Sequence, residues 1–179
     1  IGITSRIPSG GNKNPRNRTR TIEIKIYKAS DNTLVFSNNQ TFTFNSSTNR
    51  FDSSITLPSS FQTGAYNLYV LGNPFLTGRY PGSVTITKGQ TTTLSSDSFN
   101  LITGDINRTT DSENTLNILD YNVIVSCSIF SKGNGRSTCN QNSAYLTNSD
   151  LDDDGIIDQD DITLFVKEMS SQSGDPLPQ

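Results

Sequence analysis

From residue 20 the chain alternates. Ile22, Ile24 and Ile26 fall on one face and Thr21, Glu23, Lys25 and Tyr27 on the other, which is the period-two signature of a half-buried strand. Further strands are predicted over 33–37, 40–45, 50–57, 65–71, 82–87 and 91–94, divided by turn-formers such as Asp31-Asn32, Asn38-Asn39, Gly72-Asn73-Pro74 and Lys88-Gly89. This spacing predicts a mainly β chain whose residues 20–102 form an antiparallel β-sandwich. Residues 1–19 read as an arm: 9–18 holds Gly, Pro, Asn and basic residues with nothing to bury, although Ile1, Ile3 and Ile7 alternate ahead of it. Such an arm could add a strand to a neighbour's sheet edge. Beyond residue 103 the period changes. Residues 118–125 read as a helix, and Ile162, Phe165, Val166 and Met169 recur at helical spacing.

Composition sharpens the division. Only 31% of the 179 residues are hydrophobic, while Ser, Thr and Asn number 24, 22 and 19. His and Trp are absent, which excludes His-based triads, His metal sites and indole platforms. The net charge of −3 conceals an asymmetry: residues 1–104 carry ten basic and four acidic side chains, residues 105–179 four and thirteen. Neither nucleic acid nor an anionic membrane surface is an expected partner. The first residue is Ile1 rather than Met, which fits a mature form whose targeting segment was removed. Cys127 and Cys139 have no His or further Cys to complete a metal site, so a disulfide and an oxidising compartment are expected. Four sequons open at Asn17, Asn39, Asn45 and Asn107, possible glycan acceptors in a secreted chain.

The clearest chemistry lies near the C-terminus. In Asp150-Leu151-Asp152-Asp153-Asp154-Gly155-Ile156-Ile157-Asp158-Gln159-Asp160-Asp161, oxygen side chains occupy the first, third, fifth, ninth and twelfth places and Gly the sixth. Calcium takes six to eight hard oxygens, and a twelve-residue loop supplies them from these positions, with a backbone carbonyl at the seventh. The predicted ligands are Asp150, Asp152, Asp154, the carbonyl of Ile156, Asp158 and Asp161, with Ile157 anchoring the loop to a core. Seven carboxylates in twelve residues would otherwise repel one another. A second copy lies upstream, interrupted by an insertion among 108–112. Its ligands would be Asp105, Asn107, either Asp111 or Glu113, the carbonyl of Thr115, Asn117 and Asp120.

Two such loops, each followed by a helix, resemble the dockerin type I module over about residues 103–170, with 171–179 as a tail. The motifs that carry the resemblance are Gly104-Asp105-Ile106-Asn107, Asn117-Ile118-Leu119-Asp120-Tyr121-Asn122 and the whole 150–161 loop. It implies a calcium-stabilised helix pair with EF-hand-type loops that docks onto a partner, a cohesin in the best-known cases. The residues after the ninth place differ between the copies, Ile118-Leu119 against Gln159-Asp160, so calcium carries over more directly than the cohesin. Within the β region, Gly64-Ala65-Tyr66-Asn67-Leu68-Tyr69-Val70 resembles a late strand of immunoglobulin-like sandwiches of the fibronectin type III or carboxypeptidase-regulatory-like kinds.

Function follows from these expectations. The acids outside the loops, Glu23, Asp31, Asp52 and Asp97, are scattered and do not make a glycosidase pair. An enzyme is therefore not expected. The leading expectation is a secreted, calcium-binding structural protein that assembles with copies of itself into an extracellular filament, tube or surface layer, its basic and acidic halves meeting head to tail. The alternatives are a dockerin-type anchor for a cohesin-like surface protein and a carbohydrate-binding adhesin.

Overall fold

The structure is a computed structural model that describes residues 2–8, 12–94, 99, 101–107, 114–130, 139, 142–169 and 173–178. Among the described residues eight strands form one sheet: β1 (Gly2–Pro8), β2 (Thr19–Lys28), β3 (Leu34–Asn45), β4 (Arg50–Thr56), β5 (Gly64–Gly72), β6 (Phe75–Arg79), β7 (Val84–Ile86) and β8 (Thr91–Thr93). Their order is β6-β5-β2-β3-β4-β1-β8, with β7 also on β5. Inward Ile22, Ile24 and Ile26 of β2 meet Phe36, Phe42 and Phe44 of β3, Phe51 and Ile55 of β4, and Tyr66, Leu68 and Val70 of β5 in one apolar core. The mainly β, antiparallel expectation holds.

Three features differ from the sequence reading. Residues 2–8 are not a free arm. They run antiparallel to β4, from Gly2 opposite Thr56 to Pro8 opposite Arg50, and parallel to β8. The alternating arm thus completes the chain's own sheet, which withdraws it from a neighbour's. Second, 33–37 and 40–45 are one strand. Asn38 and Asn39, read as a turn, sit in the β2–β3 ladder opposite Ile24 and Glu23, because a buried alternating partner outweighs local turn preference. Third, β6 was not anticipated. It pairs with β5 through Val70 and Gly78.

After the sheet come α1 (Ile118–Cys127), α2 (Ser143–Ser149) and α3 (Gln159–Glu168). The first and last start alike. Asn117 and Asp158 cap them, and Asp120 and Asp161 three residues on return a bond to the cap backbone, the reciprocal capping box. A second core gathers Ile106, Leu116, Ile124 and Phe165, flanked by Tyr121, Leu151, Ile157, Ile162 and Met169. Leu76 of β6 also belongs to it, so the unforeseen strand joins sheet to helices. Gly104, at φ +116°, leaves room for Phe165: a Cβ there would lie 2.8 Å from its ring. The expected disulfide joins Cys127 at the end of α1 to Cys139, with Cα atoms 5.2 Å apart.

Deleting residues 1–8 should lower the denaturant midpoint and promote self-association, because the edges of β4 and β8 lose their partner. An unchanged midpoint would show that β1 adds nothing to the fold. Ile24→Ala, at the centre of the first core, should cost about 2–5 kcal/mol of stability in the same measurement.

Candidate metal loops and their seam with the sheet

Asp161 is the hub of the downstream loop. Although fully buried, it accepts bonds from the backbone N–H groups of Leu151 (2.5 Å), Asp152 (3.2 Å) and Asp158 (2.9 Å). At the head of the loop, Asp150 accepts from the N–H of Gly155 at 3.0 Å, the sixth-place Gly at φ +95°. Asp150, Asp152 and Asp154 bring carboxylate oxygens within 4.8 Å of one another. Ile157 packs into the second core as expected, and its carbonyl accepts from Ile129 N–H at 2.9 Å. Asp158 caps α3 and accepts from Asp160 N–H at 2.8 Å.

The upstream loop repeats this pattern despite its insertion. Asp120, also fully buried, accepts from the N–H groups of Ile106 (2.7 Å), Asn107 (2.9 Å) and Asn117 (3.0 Å). These are the second, third and ninth places, the same three that serve Asp161. Asp105 accepts from the N–H of Asn114 at 3.2 Å, and Asn114 has φ +72°. Asn114 therefore takes the sixth-place role of Gly155, tolerated because Asn enters the left-handed region more readily than other side-chain-bearing residues. Thr115 at the seventh place bridges to Ser173. Of the predicted ligands, Asp111 and Glu113 lie outside the described residues. Asn107 is buried and its Oδ1 accepts from the Tyr145 hydroxyl at 3.0 Å.

Electrostatics mark the downstream loop as a place where negative charge is costly. Burial pushes the Asp161 carboxyl up to about 6, against the lowering effect of its three N–H donors. Burial also raises Asp150, with repulsion from Asp153 and Asp152 adding to it, and raises Asp152, with Asp154, Asp158 and Asp160 adding to it. The donor set is all oxygen, convergent and mutually repelling, which suits a hard divalent cation.

Asp153, between two predicted ligands, faces the sheet instead. Its carboxylate accepts from Asn17 N–H (2.9 Å), Asn17 Nδ2 (2.7 Å) and Arg20 Nη2 (2.7 Å). Its carbonyl accepts from Arg16 N–H at 2.9 Å, and Asn12 Nδ2 donates to the Asp152 carbonyl at 2.5 Å. Some of the charge complementarity expected between molecules is thus satisfied within one chain. The upstream loop meets β6 in a similar way: Asn114 Oδ1 accepts from Thr77 N–H, and Asp175 accepts from Arg79 N–H at 2.8 Å while donating its own N–H to the Thr77 carbonyl at 2.9 Å. Both contacts spring from a residue with positive φ, Asp153 (+59°) and Asn114; the sequence offers only the general preference of Asp and Asn for turns.

No family model matches this chain, and no curated protein matches it. Solved structures do. A C-terminal interface mutant of a type II cohesin-X-dockerin complex from Acetivibrio cellulolyticus contains a chain with TM-score 0.55 and 15% identity, covering 94% of each chain. An N-terminal interface mutant of that complex matches at TM-score 0.50, with the same identity and coverage. What is shared is the fold. At this identity the likeness shows the fold alone, a mainly antiparallel β chain with short helices, and leaves the dockerin-type reading of 103–170 unsupported.

The remaining candidates fall into place singly. Glu23 accepts from Ser37 Oγ at 2.7 Å, Asp31 from Thr33 N–H at 2.9 Å and Asp52 from Asn45 Nδ2 at 2.8 Å, three separate local contacts; Asp97 lies outside the described residues. Among the sequons, the Asn17 and Asn45 amides are engaged with Asp153 and Asp52, Asn107 is buried, and Asn39 is exposed on β3.

In chelator, Asp161 should make stability pH-dependent. Its carboxyl binds a proton more tightly folded than unfolded, so its contribution is fully present below the usual carboxylate range and is lost as pH rises through about 6. The chelated chain should therefore melt higher at pH 5 than at pH 7.5, and Asp161→Asn should flatten that difference. A difference that survives the substitution would place the proton elsewhere.

Proposed function

We propose that this chain is a non-enzymatic, calcium-stabilised docking module that acts outside the cell, in which a β-sandwich carries a dockerin-like pair of calcium loops and α1 presents the surface a protein partner reads. The observation that carries this reading is the bond-for-bond equivalence of Asp120 and Asp161 across two loops of different length. The Asp161 carboxylate has accepting capacity beyond the N–H groups of Leu151, Asp152 and Asp158. In the downstream loop Asp150, Asp152, Asp154, the Ile156 carbonyl, Asp158 and Asp161 would hold the ion. Upstream, Asp105, Asn107, the Thr115 carbonyl, Asn117 and Asp120 would do so with one middle ligand. Counting back from Asn114 at the sixth place favours Glu113 over Asp111. A bound ion would neutralise repelling carboxylates and so hold each helix start in place.

The partner face follows from α1. Ile118 (61% exposed), Leu119 and Val125 lie on its outside, continued by Ile129 (52%) and Phe130 (59%). Large apolar side chains exposed along one short stretch of chain are candidates for a protein interaction site. A cohesin-like surface protein is the partner most in keeping with the dockerin-type reading. Self-assembly is less favoured, because β1 and part of the charge complementarity are engaged within the chain. The disulfide is consistent with an oxidising, extracellular setting, and no described helix is long and apolar enough to cross a membrane.

Elemental analysis of protein equilibrated in millimolar calcium should find two ions per chain that EDTA removes, with affinities of about 10⁻⁴ to 10⁻³ M if the loops behave as extracellular modules do. Finding none would end the calcium reading. A pull-down from the host's surface proteins should recover a cohesin-like protein in calcium and lose it in EDTA. Ile118→Lys with Val125→Lys should abolish capture while leaving calcium content unchanged; undiminished capture would move the interface off α1.

A further inference from the structure

The seam between the downstream loop and the sheet is denser than a resting contact requires. Both Asp153 oxygens are taken by Asn17 and Arg20, and the loop's main chain receives Asn12 and Arg16 as well. Arg20 is itself fixed: its other guanidinium nitrogen donates to the carbonyls of Asn17 (2.8 Å) and Thr19 (3.0 Å), and its plane lies 4.7 Å from the ring centroid of Phe51, a residue of the first core. A continuous path therefore runs from loop to Asp153, to Arg20, to the sandwich interior.

The backbone explains why this path would respond to an ion. Asp153 sits at the fourth place with φ +59°, and that reversal aims Asp152 and Asp154 at the point where Asp150 also converges while Asp153 points the other way. Whatever holds the three carboxylates together holds Asp153 against the sheet, and whatever spreads them turns it away. We infer that Asp153 is a positioning residue, a latch through which calcium occupancy of the 150–161 loop orders residues 12–20 and ties the helical part to the β-sandwich. This inference rests on the calcium reading above and goes beyond it, because Asp153 is not among the proposed ligands. Linkage makes the effect reciprocal: a sheet that holds Asp153 in place favours the ion-binding form of the loop.

Hydrogen exchange read by mass spectrometry on the whole chain separates the outcomes. In the wild type, calcium should protect peptides from 150–161 and also those spanning Arg16 and Asn17, the latter by a factor on the order of ten. Asp153→Gly accepts the positive φ while deleting all three side-chain bonds. It should keep calcium protection in the loop and lose it over 12–20. Asn17→Ala with Arg20→Met attacks the latch from the sheet side and, at saturating calcium, should reduce the same protection while the loop stays protected. Protection over 12–20 that persists in both variants overturns the latch alone, as does a wild-type loop protected without its neighbour. No calcium protection anywhere overturns the latch and the calcium reading together.

Discussion

Like charge brought to one point is the constraint on which the C-terminal half of this protein depends. Asp150, Asp152 and Asp154 aim oxygens at a shared centre, and Asp161 is buried behind them. Water alone stabilises such an arrangement poorly, as the raised proton affinities of Asp150, Asp152 and Asp161 show. Backbone N–H groups supply part of the compensation by converging on the hub carboxylate, and the same hub closes the capping box of α3. Acidic loop and helix start are consequently one device. Release of Asp161 would remove all three bonds at once, the one that closes the capping box among them.

The sheet enters through the seam rather than through a shared core alone. Leu76 on β6 belongs to the helical core, and Asn114 and Asp175 fasten the upstream loop and the tail to the backbone of that strand. Gly174 is pressed into this junction so closely that a Cβ would overlap Asn114. On the other side, Asp153 fastens the downstream loop to the segment that leads into β2. Each loop thus turns its predicted ligand positions inward and one left-handed position to the sheet. A tether at one loop would leave a hinge; tethers at both restrict rotation about either.

Much of this was legible in the sequence because two periodicities are strong. The Ile22-Ile24-Ile26 alternation marks β2 and its inward face without ambiguity, and the spacing of oxygen residues around Gly155 identifies the downstream loop. The failures have physical causes. Asn38-Asn39 looked like a turn because Asn favours turns locally, yet the long β2 ladder imposed extended structure on it. Residues 2–8 looked free because their partners, β4 and β8, lie some fifty and ninety residues away, and no local signal reports so distant a pairing. β6 is short and includes Gly78, and its pairing with β5 carries a register shift. Asp153 was absorbed into an acidic run. Its distinct duty depends on the sign of one backbone angle, which composition does not encode.

The two loops also reveal what is common by necessity and what is free. Inside, Asp120 and Asp161 receive bonds from the same three places, and Asn117 and Asp158 cap in the same way, since any departure would strand buried charge. Outside, the helices diverge. α1 exposes Ile118 and Leu119 where the corresponding start of α3 exposes Gln159 and Asp160, while further along both helices expose matching residues, Asn122 and Thr163, then Val125 and Val166. Among the described residues neither Ile118 nor Leu119 belongs to the second core, and helix propensity would favour Gln over Ile at such a site. Nor does symmetry account for them, because α3 shows that the same start can be built polar. The difference is thus confined to the two helix starts, Ile118-Leu119 against Gln159-Asp160, and under the docking reading it is this difference that would set the orientation in which a partner meets the pair.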